Sequence, residues 1–227
     1  MTGGRPRGRV RGAGRILLVL VPFVAVLTVP AIGAAAGVPL RNGAIAFARG
    51  TELWRVAPDG GAQARIGTGS NPAWSPGGRR LAFVTVDGEI AIREADGRVR
   101  PTGVAACSSQ VFTAARLAWS PDGSRIAFAR WTPQTQFDGK GAIYVMDRDG
   151  GGERLLLSHR HFSSGPYSLS WSPDGRTIAF ETSPTRECTA ISLLDVDSGS
   201  ARPLTSCSNA RESTVAPTWQ PAPDSAD

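Results

Sequence analysis

The segment Leu117-Ala118-Trp119-Ser120-Pro121-Asp122-Gly123-Ser124-Arg125-Ile126-Ala127-Phe128 constrains this chain more than any other, because it recurs. Copies stand at Ala73-Trp74-Ser75-Pro76-Gly77-Gly78-Arg79-Arg80-Leu81-Ala82-Phe83 and Ser170-Trp171-Ser172-Pro173-Asp174-Gly175-Arg176-Thr177-Ile178-Ala179-Phe180, with a shortened Thr218-Trp219-Gln220-Pro221 near the end. The tryptophans at 74, 119, 171 and 219 are 45, 52 and 48 residues apart. A period of roughly 40–50 residues built from short strands marks propeller blades, units that bury their faces only by stacking on one another.

Each copy predicts a hairpin for local reasons. Pro presets φ at the first turn position, Asp tolerates the second, and Gly takes the left-handed position that closes the turn. The following strand, Ile-Ala-Phe or Leu-Ala-Phe, has no polar face, as suits a strand covered by sheets on both sides. The small Ala lets the next sheet approach while Ile and Phe fill the other side. A second hairpin follows in each period, at Asp59-Gly60, Asp96-Gly97, Asp149-Gly150 and Asp197-Ser198-Gly199. Asp-Gly between apolar runs is a strong hairpin signal. Two hairpins make four strands, which is one blade.

These residues resemble the WD40-like propeller repeats of TolB-type proteins, whose pattern runs Trp-Ser-Pro-Asp-Gly, Ile-Ala-Phe, then Ile-Tyr-Val-Met-Asp with Asp-Gly-Gly. Residues 119–150 match it almost throughout, and the resemblance covers about 42–220, the propeller part only. The second period departs from it, with Gly77 where Asp is usual.

The ends of the repeat region complement each other. Residues 44–48, 53–56 and 64–66 are strand-like with no Trp-Ser-Pro strand ahead of them, whereas 215–219 has that strand and nothing after it. The expected fold is therefore all-β: a propeller of four four-stranded blades over 42–220, closed by pairing of 215–219 with 44–48. An open or incomplete propeller is the alternative. Residues 221–227 are expected to form a disordered tail.

Residues 1–15 hold five arginines and no acid, an apolar run follows over 16–32, and Ala34-Ala35-Ala36 supplies small residues for cleavage. This predicts a secretory signal peptide over 1–36, with an uncleaved amino-terminal membrane anchor as the alternative. The location expected is outside the cell or in the cell envelope, periplasmic where an outer membrane exists. Without residues 1–36, 20 basic residues face 19 acids, so the basic balance belongs to the leader and no nucleic-acid partner is expected. Membrane contact is expected only through that segment, if it is retained.

Long links at 103–115, 131–141, 158–168, 183–189 and 206–216 emerge on one face, while the opposite face has only tight turns. Binding is expected on the long-loop face, because loops on a rigid scaffold usually carry it. Trp131, Phe137, His159, His161, Phe162 and Tyr167 are the candidate contact residues there. His159 and His161 form a His-x-His able to share a metal on an extended segment, but no third ligand is identifiable, so no metal and no cofactor is expected. Cys188 and Cys207 belong to the same face of one blade and are expected to form a disulfide, leaving Cys107 over.

No Gly-x-Ser-x-Gly elbow is present. Glu181, Glu187 and Glu212 map to the long-loop half of the fourth period or its exit, where solvated charge is the simpler reading than a catalytic pair. The chain reads as an exported, non-catalytic binding or scaffold module for an envelope or extracellular protein or a small ligand. A propeller enzyme acting on a glycan or small molecule, or a membrane-tethered sensor ectodomain, is the alternative.

Overall fold

The computed structural model describes residues 1–2, 43–106, 116–133, 139–159, 168–185, 188–206 and 216–220. Most of the expected signal peptide over 1–36 and all of the expected tail over 221–227 lie outside these residues. Among the described residues no helix is long and apolar enough to cross a membrane. Blade one comprises β1 (Ile45–Arg49), β2 (Glu52–Val56) and β3 (Ala64–Thr68). Blade two comprises β4 (Ser70–Trp74), β5 (Leu81–Val84), β6 (Glu89–Arg93) and β7 (Val99–Ala105). Blade three comprises β8 (Leu117–Trp119), β9 (Arg125–Pro133), β10 (Gly139–Asp147) and β11 (Arg154–His159). Blade four comprises β12 (Leu169–Trp171), β13 (Thr177–Thr185), β14 (Cys188–Asp195) and β15 (Ala201–Pro203). The fold is the expected all-β propeller of four antiparallel blades.

The repeat turn is held by its own polar groups. The Gly123 N–H donates to Ser120 O at 2.9 Å with Gly123 at φ 68°. Asp122 Oδ1 accepts from the Ser120 hydroxyl at 2.5 Å and from the Ser124 amide at 3.0 Å. Those bonds, the Ser120 hydroxyl first, lower the Asp122 pKa to about 2. Asp174 is lowered in the same way, by the Ser172 hydroxyl and then the Arg176 amide. Blade two keeps the serine, whose Oγ accepts the Arg80 amide at 3.1 Å, but has Gly77 in place of the acid.

Gly77→Asp should therefore stabilise the chain. A Cβ there meets nothing within 4 Å. The expected gain in unfolding free energy is about 1 kcal/mol, from the new bond and from a less flexible unfolded chain. A carboxyl whose folded pKa is depressed stabilises above its unfolded pKa and loses that effect as pH falls through the folded value. The carboxylate's share of the gain, present above the ordinary aspartate pKa, should thus be lost as pH falls through the depressed folded value, as expected at Asp122. Urea unfolding of both proteins across this range checks it.

Register explains the packing. Trp74, Trp119 and Trp171 stand opposite Leu81, Ile126 and Ile178, the first residues of the apolar triplets. In blade three, Ile126 and Phe128 pack towards blade two with Ala82, Val84, Ile90, Ile92 and Val104, while Ala127 packs towards blade four with Trp171, Ile178 and Phe180. Large residues thus face the preceding blade and the alanine faces the next. Each fully buried Phe or Ile contributes about 1.5–3 kcal/mol.

The tryptophans add a directional lock. The Trp119 indole N–H donates to Ala73 O at 2.9 Å, that of Trp171 to Ala118 O at 3.0 Å, and that of Trp219 to Ser170 O at 3.0 Å. Every acceptor belongs to the residue just before the tryptophan of the preceding repeat.

Pairing of the chain ends is not seen among the described residues. Blade one has three strands, β1 pairs only with β2 among the described residues, and 216–220 form no strand. Among the described strands, inter-blade contacts run in chain order through β1 and β4, β4 and β8, and β8 and β12. Trp219 is held on blade four by Ser170 O and by Ala179, Ile191 and Leu193.

Candidate interaction surface

The long-loop end of blade three is extended. Its middle strands β9 and β10 have 9 residues each, against 4 and 5 in β5 and β6 of blade two. The extra length places Trp131 opposite Gly141, and Gly141 opposite His159. Two of the expected contact residues therefore share one cross-strand row with a glycine between them, their backbones about 10 Å apart. Phe137, His161, Phe162 and Tyr167 lie outside the described residues.

Arg130, one position before Trp131, fixes this extension to the preceding blade. Its Nε–H donates to Ala105 O at 2.8 Å, and its Nη2 lies 2.7 Å from a Glu153 carboxylate oxygen. Its guanidinium lies 4.2 Å from the Tyr144 ring centroid and 5.3 Å from that of Phe128, which itself stacks on Tyr144 at 5.5 Å. A cation held over two aromatic faces and paired besides is a rigid support.

Blade four is extended too. Cys188 opens β14 opposite Thr185 and is buried, while Cys107, Cys207, Glu187 and Glu212 lie outside the described residues. Glu181 is a buried acid at 6% exposure. Burial pushes its pKa up, opposed by the Ala216 amide it accepts and by the charge of Arg116. Its position and partner make it a brace for the carboxy-terminal segment. Among the described residues no group of three potential ligands could hold a metal.

The tight-turn face carries recesses that the loop lengths did not announce. A cleft of about 220 Å³ between blades one and two is lined by Arg55, Ile66, Trp74, Arg79, Leu81 and Arg93, among others. It adjoins a groove of about 670 Å³ lined by Arg80, Glu94, Asp96, Arg98 and Arg100. Arg80 pairs with Glu94 at 2.9 Å and Arg98 with Asp96 at 2.6 Å. The Arg98 amide, then its guanidinium, lower the Asp96 pKa. The Arg79-Arg80 pair was the one sequence signal, and it stood inside a tight turn, where side chains of two blades meet only after folding.

No protein-family model matches the chain, and no curated protein matches its sequence. Its architecture is similar to that of solved structures. A TolB-type protein from Agrobacterium tumefaciens aligns at TM-score 0.55 and 22% identity over 72% of this chain and 58% of that one. A nidogen/laminin complex aligns at 0.51 and 17% over 68% and 57%. Puromycin hydrolase aligns at 0.51 and 18% over 73% and 29%. The chain thus spans little more than half of the first two and under a third of the last. What these likenesses share with it, at 22% identity or below, is the fold, the β-propeller.

Proposed function

We propose that this chain is an exported, non-catalytic binding or scaffold module of the envelope or exterior, and that the long-loop end of blade three makes the contact. The observation that carries the reading is the row formed by Trp131, Gly141 and His159 on strands extended beyond those of blade two. Arg130 braces the platform from behind. Phe137, His161, Phe162 and Tyr167 follow Trp131 and His159 closely in the sequence. Removal of residues 1–36 and a Cys188–Cys207 bond are part of the same reading. The partner is an envelope or extracellular protein or a small ligand; a nidogen/laminin complex among structures of this fold favours protein.

A photo-crosslinking amino acid at position 137, compared with one at 59 on the tight-turn face, tests this in cells that export the chain. The reading expects a discrete adduct from 137 that Trp131→Ala diminishes. Adducts from 59 alone would move the contact to the arginine-lined face and overturn it.

A further inference from the structure

The junction between blades one and two is lined differently from the two that follow it. Opposite the alanine of each apolar triplet stand Arg55 in blade one, Ile92 in blade two, Val145 in blade three and Leu193 in blade four. Opposite the first residue of the triplet stand Val56, Arg93, Met146 and Leu194. Packing gives each position a direction. Ile92 shares a cluster with Met146 between blades two and three, and Val145 shares one with Leu194 between blades three and four, all four being buried. The first position thus faces the blade that follows and the second the blade that precedes. By the same register Arg55 faces blade two and Arg93 faces blade one. Two guanidiniums meet where the other junctions join two apolar side chains.

Both line the cleft of about 220 Å³ between these blades, and Arg79 of the repeat turn lines it with them. Arg93 is fixed in place, its Nη1 donating to Gly97 O at 2.7 Å. Glu94 also borders the cleft, but its carboxylate is paired with Arg80 at 2.9 Å. Among the described residues no ion pair forms at Arg55, Arg79 or Arg93. Ile66, Trp74 and Leu81 supply apolar wall beside these cations. Like charges around one recess repel, and a recess between packed blades screens them less than open water does. An anion there turns repulsion into attraction, and the planar guanidinium fork matches the two oxygens of a carboxylate.

We propose that this cleft binds a small carboxylate with an apolar body, its oxygens held by Arg55 and Arg93 and its body laid against Trp74, Ile66 and Leu81. The volume falls below the roughly 300–1,000 Å³ of drug-sized pockets, which suits a small molecule and not a folded partner. The site lies on the tight-turn face and is separate from the contact proposed at the end of blade three.

Phenylacetate is the probe. In an NMR titration of the full chain at fixed ionic strength it should shift the Trp74 indole signal and saturate with a Kd of about 1 mM or tighter. Phenylacetamide, which keeps the body without the charge, and inorganic phosphate, which keeps charge without the body, should each bind about tenfold more weakly or worse. Arg55→Leu and Arg93→Met should each weaken phenylacetate about tenfold or more. Their melting temperatures should be no lower than that of the unchanged chain, since they install the residues that blades four and three bury at these positions. Trp131→Ala should leave phenylacetate binding unchanged, which separates this site from the long-loop contact. No binding of phenylacetate, equal binding of phenylacetamide or phosphate, or unchanged binding in both arginine variants would overturn the proposal.

Discussion

Trp119→Ala lowers the unfolding free energy by about 3–5 kcal/mol, a large share of the 5–15 kcal/mol that keeps a typical domain folded. Trp119 is 7% exposed and belongs to the cluster that joins blades two and three, with Ile126, Phe128 and Met146 around it. Truncation removes that packing and leaves Ala73 O without its indole donor. Trp119→Phe separates the two effects: it keeps most of the apolar volume and forfeits the bond, costing about 1–3 kcal/mol. Urea unfolding followed by circular dichroism measures both. Equal losses in the two variants would show that packing contributes little to the junction.

Gly150→Ala is the second large effect, and its cause is backbone rather than core. Gly150 closes the second hairpin of blade three at φ 95°, and an added Cβ would lie 2.2 Å from Thr102 O and 2.8 Å from Thr102 Cβ in blade two. The same turn receives Arg100, whose guanidinium donates to Arg148 O and Asp149 O at 3.2 Å each. A side chain there must therefore push two blades apart. The expected loss is about 3 kcal/mol or more, the left-handed backbone accounting for about 1–2 of it. Gly123→Ala provides the comparison: φ is 68° but the nearest atom, Pro76 Cδ, is 3.7 Å away. It should lose only the conformational part. Thermal unfolding of both variants checks the difference, and equal shifts would mean that the hairpin does not press on Thr102.

The blades were legible because their signals are local. Trp-Ser-Pro-Asp-Gly fixes a turn, and the triplet after it fixes which residue faces which neighbour, so register and core followed from short words in the chain. Pairing of the chain ends is a long-range matter. Whether 215–219 reaches 44–48 depends on the rotation accumulated over three junctions, set by side chains such as Phe128, Trp171 and Phe180 acting together. The candidate surface was partly legible. Trp131 and His159 were singled out for lying outside the repeat, but their alignment across Gly141 depends on the irregular step between Ile143 and Tyr144 in the pairing of β10 with β11. Glu181 looked like a solvated charge because the Ala216 amide that it accepts comes from a segment 35 positions later. The arginines at 55, 79 and 93 come together only because two blades pack.

The central claim is that blades three and four are each locked to the blade before by an inner-strand tryptophan, and that Trp219 holds the segment 216–220 on blade four in the same way. Thermal unfolding of a chain lacking residues 214–227 tests it most directly. Losing the Trp219 contact with Ala179, Ile191 and Leu193 and its bond to Ser170 should cost about 2 kcal/mol or more, with a clearly lower melting temperature. An unchanged melting temperature would contradict the account, because it would show that blade four stands without the segment held upon it.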